Sequence, residues 1–108
     1  MKEEIFELNT MEGQTSLLSE KISGKLNSLI IDSEENCEVI IESDLGYIVF
    51  HRRQHQGVKY YCVRARTTTP IESLFDNSSF DEICLNEKLI ITIRGRKNLD
   101  VKLIFRLD

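Results

Sequence analysis

Two stretches near the end of the chain, Lys88-Leu-Ile-Ile-Thr-Ile-Arg94 and Val101-Lys-Leu-Ile-Phe-Arg-Leu107, place a large apolar residue at every second position. Leu89, Ile91 and Ile93 share one face of the first, and Val101, Leu103, Phe105 and Leu107 share one face of the second. A period of two belongs to an extended strand, whose successive side chains point to opposite sides; a helix would scatter the same residues around its circumference. Gly95-Arg-Lys-Asn98 between them supplies residues that tolerate left-handed backbone, so the spacing predicts a hairpin.

Further short Ile-, Val- and Leu-rich segments predict strands near Lys21–Ile31, Cys37–Glu42, Gly46–Arg52, Val58–Arg66 and Phe80–Leu85. Asp32–Asn36, Ser43–Gly46 and His55–Gly57 read as the turns between them, and Ile5, Phe6 and Leu8 allow an eighth strand over Glu4–Leu8. Met11–Lys21 has room for a short helix carrying Leu17 and Leu18. The expected fold is all-β, a single-domain antiparallel β-sandwich or jelly-roll-like barrel of about seven to eight strands. Residues 1–18 form an arm, as an added strand or a short helix, and residues 19–108 form the sandwich.

With 108 residues and 41% hydrophobic content, one ordinary core is expected without metal or disulfide support. Cys37, Cys62 and Cys84 are odd in number and contain no C-x-x-C, which suits reduced thiols; Cys62 and Cys84 lie in apolar strands, and Cys37 is the one expected to be exposed. No apolar run approaches the ~20 residues that span a bilayer. Met1-Lys2-Glu3-Glu4 is too acidic to open a secretory signal, so a cytoplasmic protein with no membrane contact is expected.

Strict alternation fails in the middle of the chain. In Gly46–Arg52, Tyr47 and Val49 lie opposite Ile48 and Phe50; in Val58–Arg66, Val58, Tyr60 and Cys62 lie opposite Tyr61, Val63 and Ala65. A hairpin of these two segments through Arg53–Gly57 would be apolar on both sides, and an uncovered patch of that kind marks an interaction surface. Either the leader with Ile5, Phe6 and Leu8 covers it, or another protein or a second copy does. The 13-residue connection Thr67–Ser79 carries Ile71, Leu74 and Phe75, which fits a crossover packed over the end of the core or a docking loop.

Charge is segregated along the sequence. Residues 1–44 hold eleven acids and three bases; residues 45–71 hold no acid and five bases, Arg52, Arg53, Lys59, Arg64 and Arg66. Those bases with Tyr60 or Tyr61 could grip a single-stranded nucleic acid, but a net charge of −4 and the acidic remainder repel a polyanion. The alternative is a basic hairpin facing acids such as Glu34, Glu35 and Glu38, either within the chain or head to tail between copies.

No constellation for catalysis emerges. Ser23-Gly24-Lys25 lacks the upstream Gly of a phosphate loop, and His51, His55 and Cys62 have no metal-ligand spacing. No catalytic residue, cofactor site or metal site is assigned. The candidate interaction surface comprises Tyr47, Ile48, Phe50, Arg52, Arg53, Lys59, Tyr60, Tyr61, Arg64, Ile71, Leu74 and Phe75.

Ile22-Ser-Gly24, Leu45-Gly-Tyr47, Gly57-Val-Lys-Tyr-Tyr61, Asn86-Glu-Lys-Leu89 and Lys97-Asn98 followed by Val101–Arg106 occur in an order that resembles small all-β virion proteins of tailed bacteriophages, over roughly residues 21–107. The resemblance implies a non-enzymatic subunit of a head, neck, tail or baseplate, assembled in the host cytoplasm. It would act through repeated contacts with copies of itself and other virion subunits. A nucleic-acid-binding β module is the alternative, and a carbohydrate-binding sandwich presenting Tyr47, Tyr60 or Tyr61 ranks below it.

Overall fold

The computed structural model describes residues 2–61, 64–66 and 80–108, with side chains for 2–61 and 83–108. The chain is all-β, and its antiparallel strands form a curled sheet shaped as a half-barrel. The strands are β1 (Lys2–Asn9), β2 (Gln14–Leu18), β3 (Ile22–Ser43), β4 (Ile48–Tyr61), β5 (Arg64–Arg66), β6 (Phe80–Glu87), β7 (Leu89–Gly95) and β8 (Asp100–Leu107).

The long strand β3 organises everything else. Its first half pairs with β8 on one edge (Ile30 opposite Ile104) and with the end of β4 on the other (Ile30 opposite Tyr60). Its second half pairs with β7 and with the start of β4, Val39 lying opposite both Ile93 and Arg52. β1 flanks β8 and β2 flanks β7. The result is a sheet folded over on itself, in the order β1-β8-β3-β4 in one half and β2-β7-β3-β4 in the other, with β6 continuing the β4 side along Ile22–Leu26 of β3 and β5 paired outside β6. Apolar residues at alternate positions line the inside: Leu29, Ile31, Val39, Ile41, Ile91, Ile93, Leu103 and Phe105 are each no more than 1% exposed. Phe6 packs edge-on to Phe105 with ring centroids 5.5 Å apart, a geometry that adds about 1 kcal/mol beyond area burial.

Several sequence expectations change. The expected hairpin of the last two strands does not form: β7 and β8 both pair with β3, end to end, and the connection between them is an arch over the fold. Asn98 does take the left-handed conformation, at φ 56°. Asp32–Asn36 and His55–Gly57 do not reverse the chain either. At the fold, Glu34, Glu35 and Asn36 bulge out of β3 opposite the single residue Gln56 of β4, so the strand bends and continues. Gly57, at φ +83°, gives β4 the matching bend. Ile48–Arg52 and Val58–Tyr61 are therefore not hairpin partners; both lie against β3, while Arg64–Arg66 pairs with β6. Residues 14–18 are strand rather than helix because Leu17 packs on the core from an edge position opposite Ile91.

The arches are tied to one another. Thr10, fully buried, donates its N–H to the Leu99 carbonyl (2.9 Å), accepts the Leu99 N–H on Oγ1 (3.0 Å), and accepts the Asn98 N–H on its carbonyl (2.9 Å). At the opposite end, Glu87 pairs with Ile22 and Leu89 with Ser43, so the junction of β6 and β7 bridges the two ends of β3. The buried Glu87 carboxylate accepts hydrogen bonds from Ser43 Oγ and Tyr47 Oη, each 2.5 Å long.

Candidate interaction surface

The outward face of the first half is built in cross-strand rows. The central row is Ile5, Ile104, Ile30 and Tyr60, each directly opposite the next on strands β1, β8, β3 and β4. Its ends are open, Ile5 being 53% exposed and Tyr60 66%, while its middle is covered, Ile104 half-buried and Ile30 only 7% exposed. On one side runs Glu7, Lys102, Asp32 and Val58, and on the other Glu3, Arg106 and Ser28. Arg106 donates from Nε to Glu3 at 3.1 Å while its guanidinium carbon lies 5.8 Å from the Tyr60 ring centre. The long Arg106 side chain thus reaches from β8 across β3 towards Tyr60, beside the buried Ile30 and Ser28, instead of extending into solvent.

A second exposed apolar group sits on the outward face of the other half. Leu18, Ile90, Glu42 and Ile48 form a row across β2, β7, β3 and β4, next to Leu45 and Tyr47 in the turn that joins β3 to β4. Beyond it, Glu38 accepts from Arg94 (3.4 Å) and bonds His51 Nε2 (2.8 Å). The His51 and Arg94 contacts hold the Glu38 carboxyl below its ordinary range. Of the acids expected to face the basic segment, Glu38 meets His51, whereas Glu35 meets Arg96 of the β7–β8 arch.

The inward face of β4 carries a different cluster. Tyr61 contacts Phe50 (centroids 5.1 Å apart), His55 (5.8 Å) and the guanidinium of Arg52 (5.8 Å). His55 Nε2 lies 2.8 Å from the Gly57 carbonyl, which can only accept, so Nε2 carries the proton and Nδ1 accepts from Tyr61 Oη at 2.7 Å. Burial pushes the His55 imidazole below its ordinary pKa, outweighing the Gly57 bond that favours its charged form. His51 and His55 lie on opposite faces because Arg53 and Gln54 bulge between them; four residues along a regular strand would return to the same face.

The sequence-nominated residues therefore divide. Ile48 and Tyr60 lie on the outward faces and Tyr47 at their margin, while Phe50, Arg52 and Tyr61 gather inside. Arg53 is exposed in the bulge, and Lys59 is exposed opposite Ile31. Arg64 is described by its backbone alone; Ile71, Leu74 and Phe75 lie outside the described residues, as does Cys62. The expected single patch does not form, since Tyr47 and Ile48 lie in one half of the fold and Val58 and Tyr60 in the other, while on the inward side Val49, Phe50 and Tyr61 pack on the chain's own core. The leader is no cover: β1 lies in the sheet as an edge strand, Phe6 and Leu8 turned in and Ile5 turned out. Cys37 is buried and Cys84 exposed, the reverse of expectation, because the bulge sets Cys37 inward opposite His55 and the register sets Cys84 opposite the exposed Lys25. Ile30 and Ile104 escaped sequence reasoning, and Ile5 entered it only as part of a leader laid across the sheet; the three stand on separate strands, and only the register joins them.

One groove, of about 610 Å³, lies beside the arches and is lined by Glu7, Asp32, Glu34, Asp100, Arg96 and Lys102 among others. Among the described residues no group of three His, Cys, Asp or Glu side chains is placed to hold a metal ion. No helix among them is long and apolar enough to cross a membrane. Comparison with known proteins finds no matching family model, no matching curated protein and no matching solved structure.

Proposed function

We propose that this protein is a non-enzymatic structural subunit that works through protein–protein contacts on the outward faces of its folded-over sheet. The tailed-phage virion is the setting that the sequence resemblance gives it. The observation that carries the reading is the row Ile5–Ile104–Ile30–Tyr60, continuous across four strands and open at both ends. Of the row, Ile5 and Tyr60 stand in water, and leaving a large apolar side chain there forgoes about 1.5–3 kcal/mol for each one that a partner could bury fully. The charged rows on either side match the anatomy of an interface, with an apolar centre and a polar rim. The groups that the fold buries are already engaged in holding the architecture: His55 with Tyr61 and Gly57, and Glu87 with Ser43 and Tyr47.

The test is sedimentation of an extract of the source cells or particles through a density gradient, with the protein followed by antibody. A subunit travels with a large assembly, and Tyr60→Glu returns it to the top of the gradient. Wild-type protein found only at the position of its own 12.6 kDa mass refutes the reading.

A further inference from the structure

We infer that the outward face of the first half is a docking site for a second copy of this chain, related by a two-fold axis parallel to the strands, with Lys102 of each copy facing the partner's Asp32. This deepens the proposed function and rests on it.

The order of strands on this face is β1-β8-β3-β4, so a two-fold axis parallel to the strands passes midway between β8 and β3. That operation lays the apolar row on its own copy, the exposed Ile5 over the partner's exposed Tyr60 at each end and the half-buried Ile104 over the partner's buried Ile30 between them. On the flanking row it sets Lys102 against the partner's Asp32, twice by symmetry, while Glu7 meets the partner's Val58 at the rim. On the other flank Arg106, already held by Glu3, meets the partner's Ser28.

The other in-plane axis, along the row, also stacks apolar on apolar but exchanges the two flanks. Glu3 would then face the partner's Glu7, and Arg106 the partner's Lys102. Like charges at every flanking position of β1 and β8 reject that arrangement, so charge selects the orientation that the apolar row alone leaves open. Asp32 and Lys102 are both exposed and form no ion pair with each other among the described residues.

The size is consistent with a real but modest dimer. Four strands at ~4.8 Å spacing and eight residues at ~3.3 Å rise give a footprint of about 19 by 26 Å, hence ~500 Å² per copy and ~1,000 Å² in total, at the lower bound for specific interfaces. An interface of that size belongs to the weak, transient class, with two sheets packed face to face in the aligned manner of a sandwich.

The experiment is sedimentation velocity of the purified full chain up to roughly 500 µM, a ceiling high enough to populate a weak, transient dimer. Wild-type protein should pass from monomer to dimer, and Lys102→Glu and Asp32→Lys should each weaken dimerisation at least about tenfold, two like-charge contacts replacing two opposite ones. An equimolar mixture of the two variants should dimerise like wild type: only the mixed dimer sets the introduced carboxylate against the introduced ammonium and keeps one native pair. Circular dichroism and melting temperature establish that each variant is folded. If either charge variant fails to fold, Tyr60→Glu, which leaves the charged pair intact, must abolish the dimer instead. A wild-type monomer throughout the range, a dimer indifferent to these changes, or a mixture that stays monomeric overturns the inference. A purified monomer that still travels in a large assembly in the extract sinks the two-fold dimer and leaves the proposed function standing; a monomer in both sinks both.

Discussion

Replacing Thr10 by Val isolates the device that keeps the sheet folded over. Val matches Thr in shape, so packing is conserved and only the hydroxyl is lost. That hydroxyl accepts the Leu99 N–H at 3.0 Å and donates to the Arg96 carbonyl at 2.5 Å. The Arg96 carbonyl borders an exposed turn, where water can replace the hydroxyl, so its loss costs little. The Leu99 N–H has no such recourse, because Leu99 is 1% exposed and Thr10 is fully buried. An unsatisfied buried donor costs about 1–3 kcal/mol, and a loss of that size is expected. In a domain of this size that is a fall of roughly 5–15 °C in melting temperature, readable by calorimetry and by the urea midpoint at unchanged slope. Thr10→Ser, which keeps the oxygen and loses a methyl, should cost about 1 kcal/mol. If Thr10→Val melts within a degree or two of wild type, the arches are not pinned through this residue and the account of the fold is wrong at its corner.

Glu87→Ala strands the buried Ser43 hydroxyl and the Tyr47 phenol together and should cost about 2–4 kcal/mol by urea denaturation, with Glu87→Gln nearer wild type because its amide oxygen still accepts. Burial holds His55 below its ordinary value of 6.5, so the unfolded chain takes up this proton first as pH falls. Stability should therefore be full above that value and decline as the medium is acidified towards the folded-state pKa, and His55→Gln should flatten the stability profile over that interval; an unchanged profile would contradict the assignment. Gly57→Ala places a methyl in open space at φ +83°, so its cost is conformational alone, about 1 kcal/mol by thermal melting, and Gly57→Asn should cost less. Tyr61 is occupied by Phe50, Arg52 and His55 and is no open stacking platform, so a gel shift with single-stranded DNA at low salt should show no retardation that Tyr61→Ala removes.

Much of the local structure was legible. The alternation in the last two strands fixed both their type and their buried faces, since Leu89, Ile91, Ile93, Leu103 and Phe105 are all inside. The candidate surface was half legible: of the residues nominated from a segment apolar on both sides, Ile48 and Tyr60 are exposed. The sequence did not distinguish Phe50 and Tyr61, which the core covers, from their neighbours, because bulges at Val49 and at Arg53–Gln54 reset the alternation. A bulge leaves no composition mark different from that of an ordinary turn.

What residues alone determined is therefore the strand type, the all-β class and the identity of the inward-facing residues wherever pairing is regular, because side-chain direction follows from a two-residue period that any reader can count. Only the tertiary structure decided that Asp32–Asn36, His55–Gly57 and Gly95–Asn98 are bends and arches. A polar, glycine-bearing segment fits a chain reversal and a fold in a sheet equally well, and the partner strand chooses between them. The same holds for the row from Ile5 to Tyr60: its four members are separated by up to 99 positions in sequence and are brought into line by backbone register, which no one of the four strands contains.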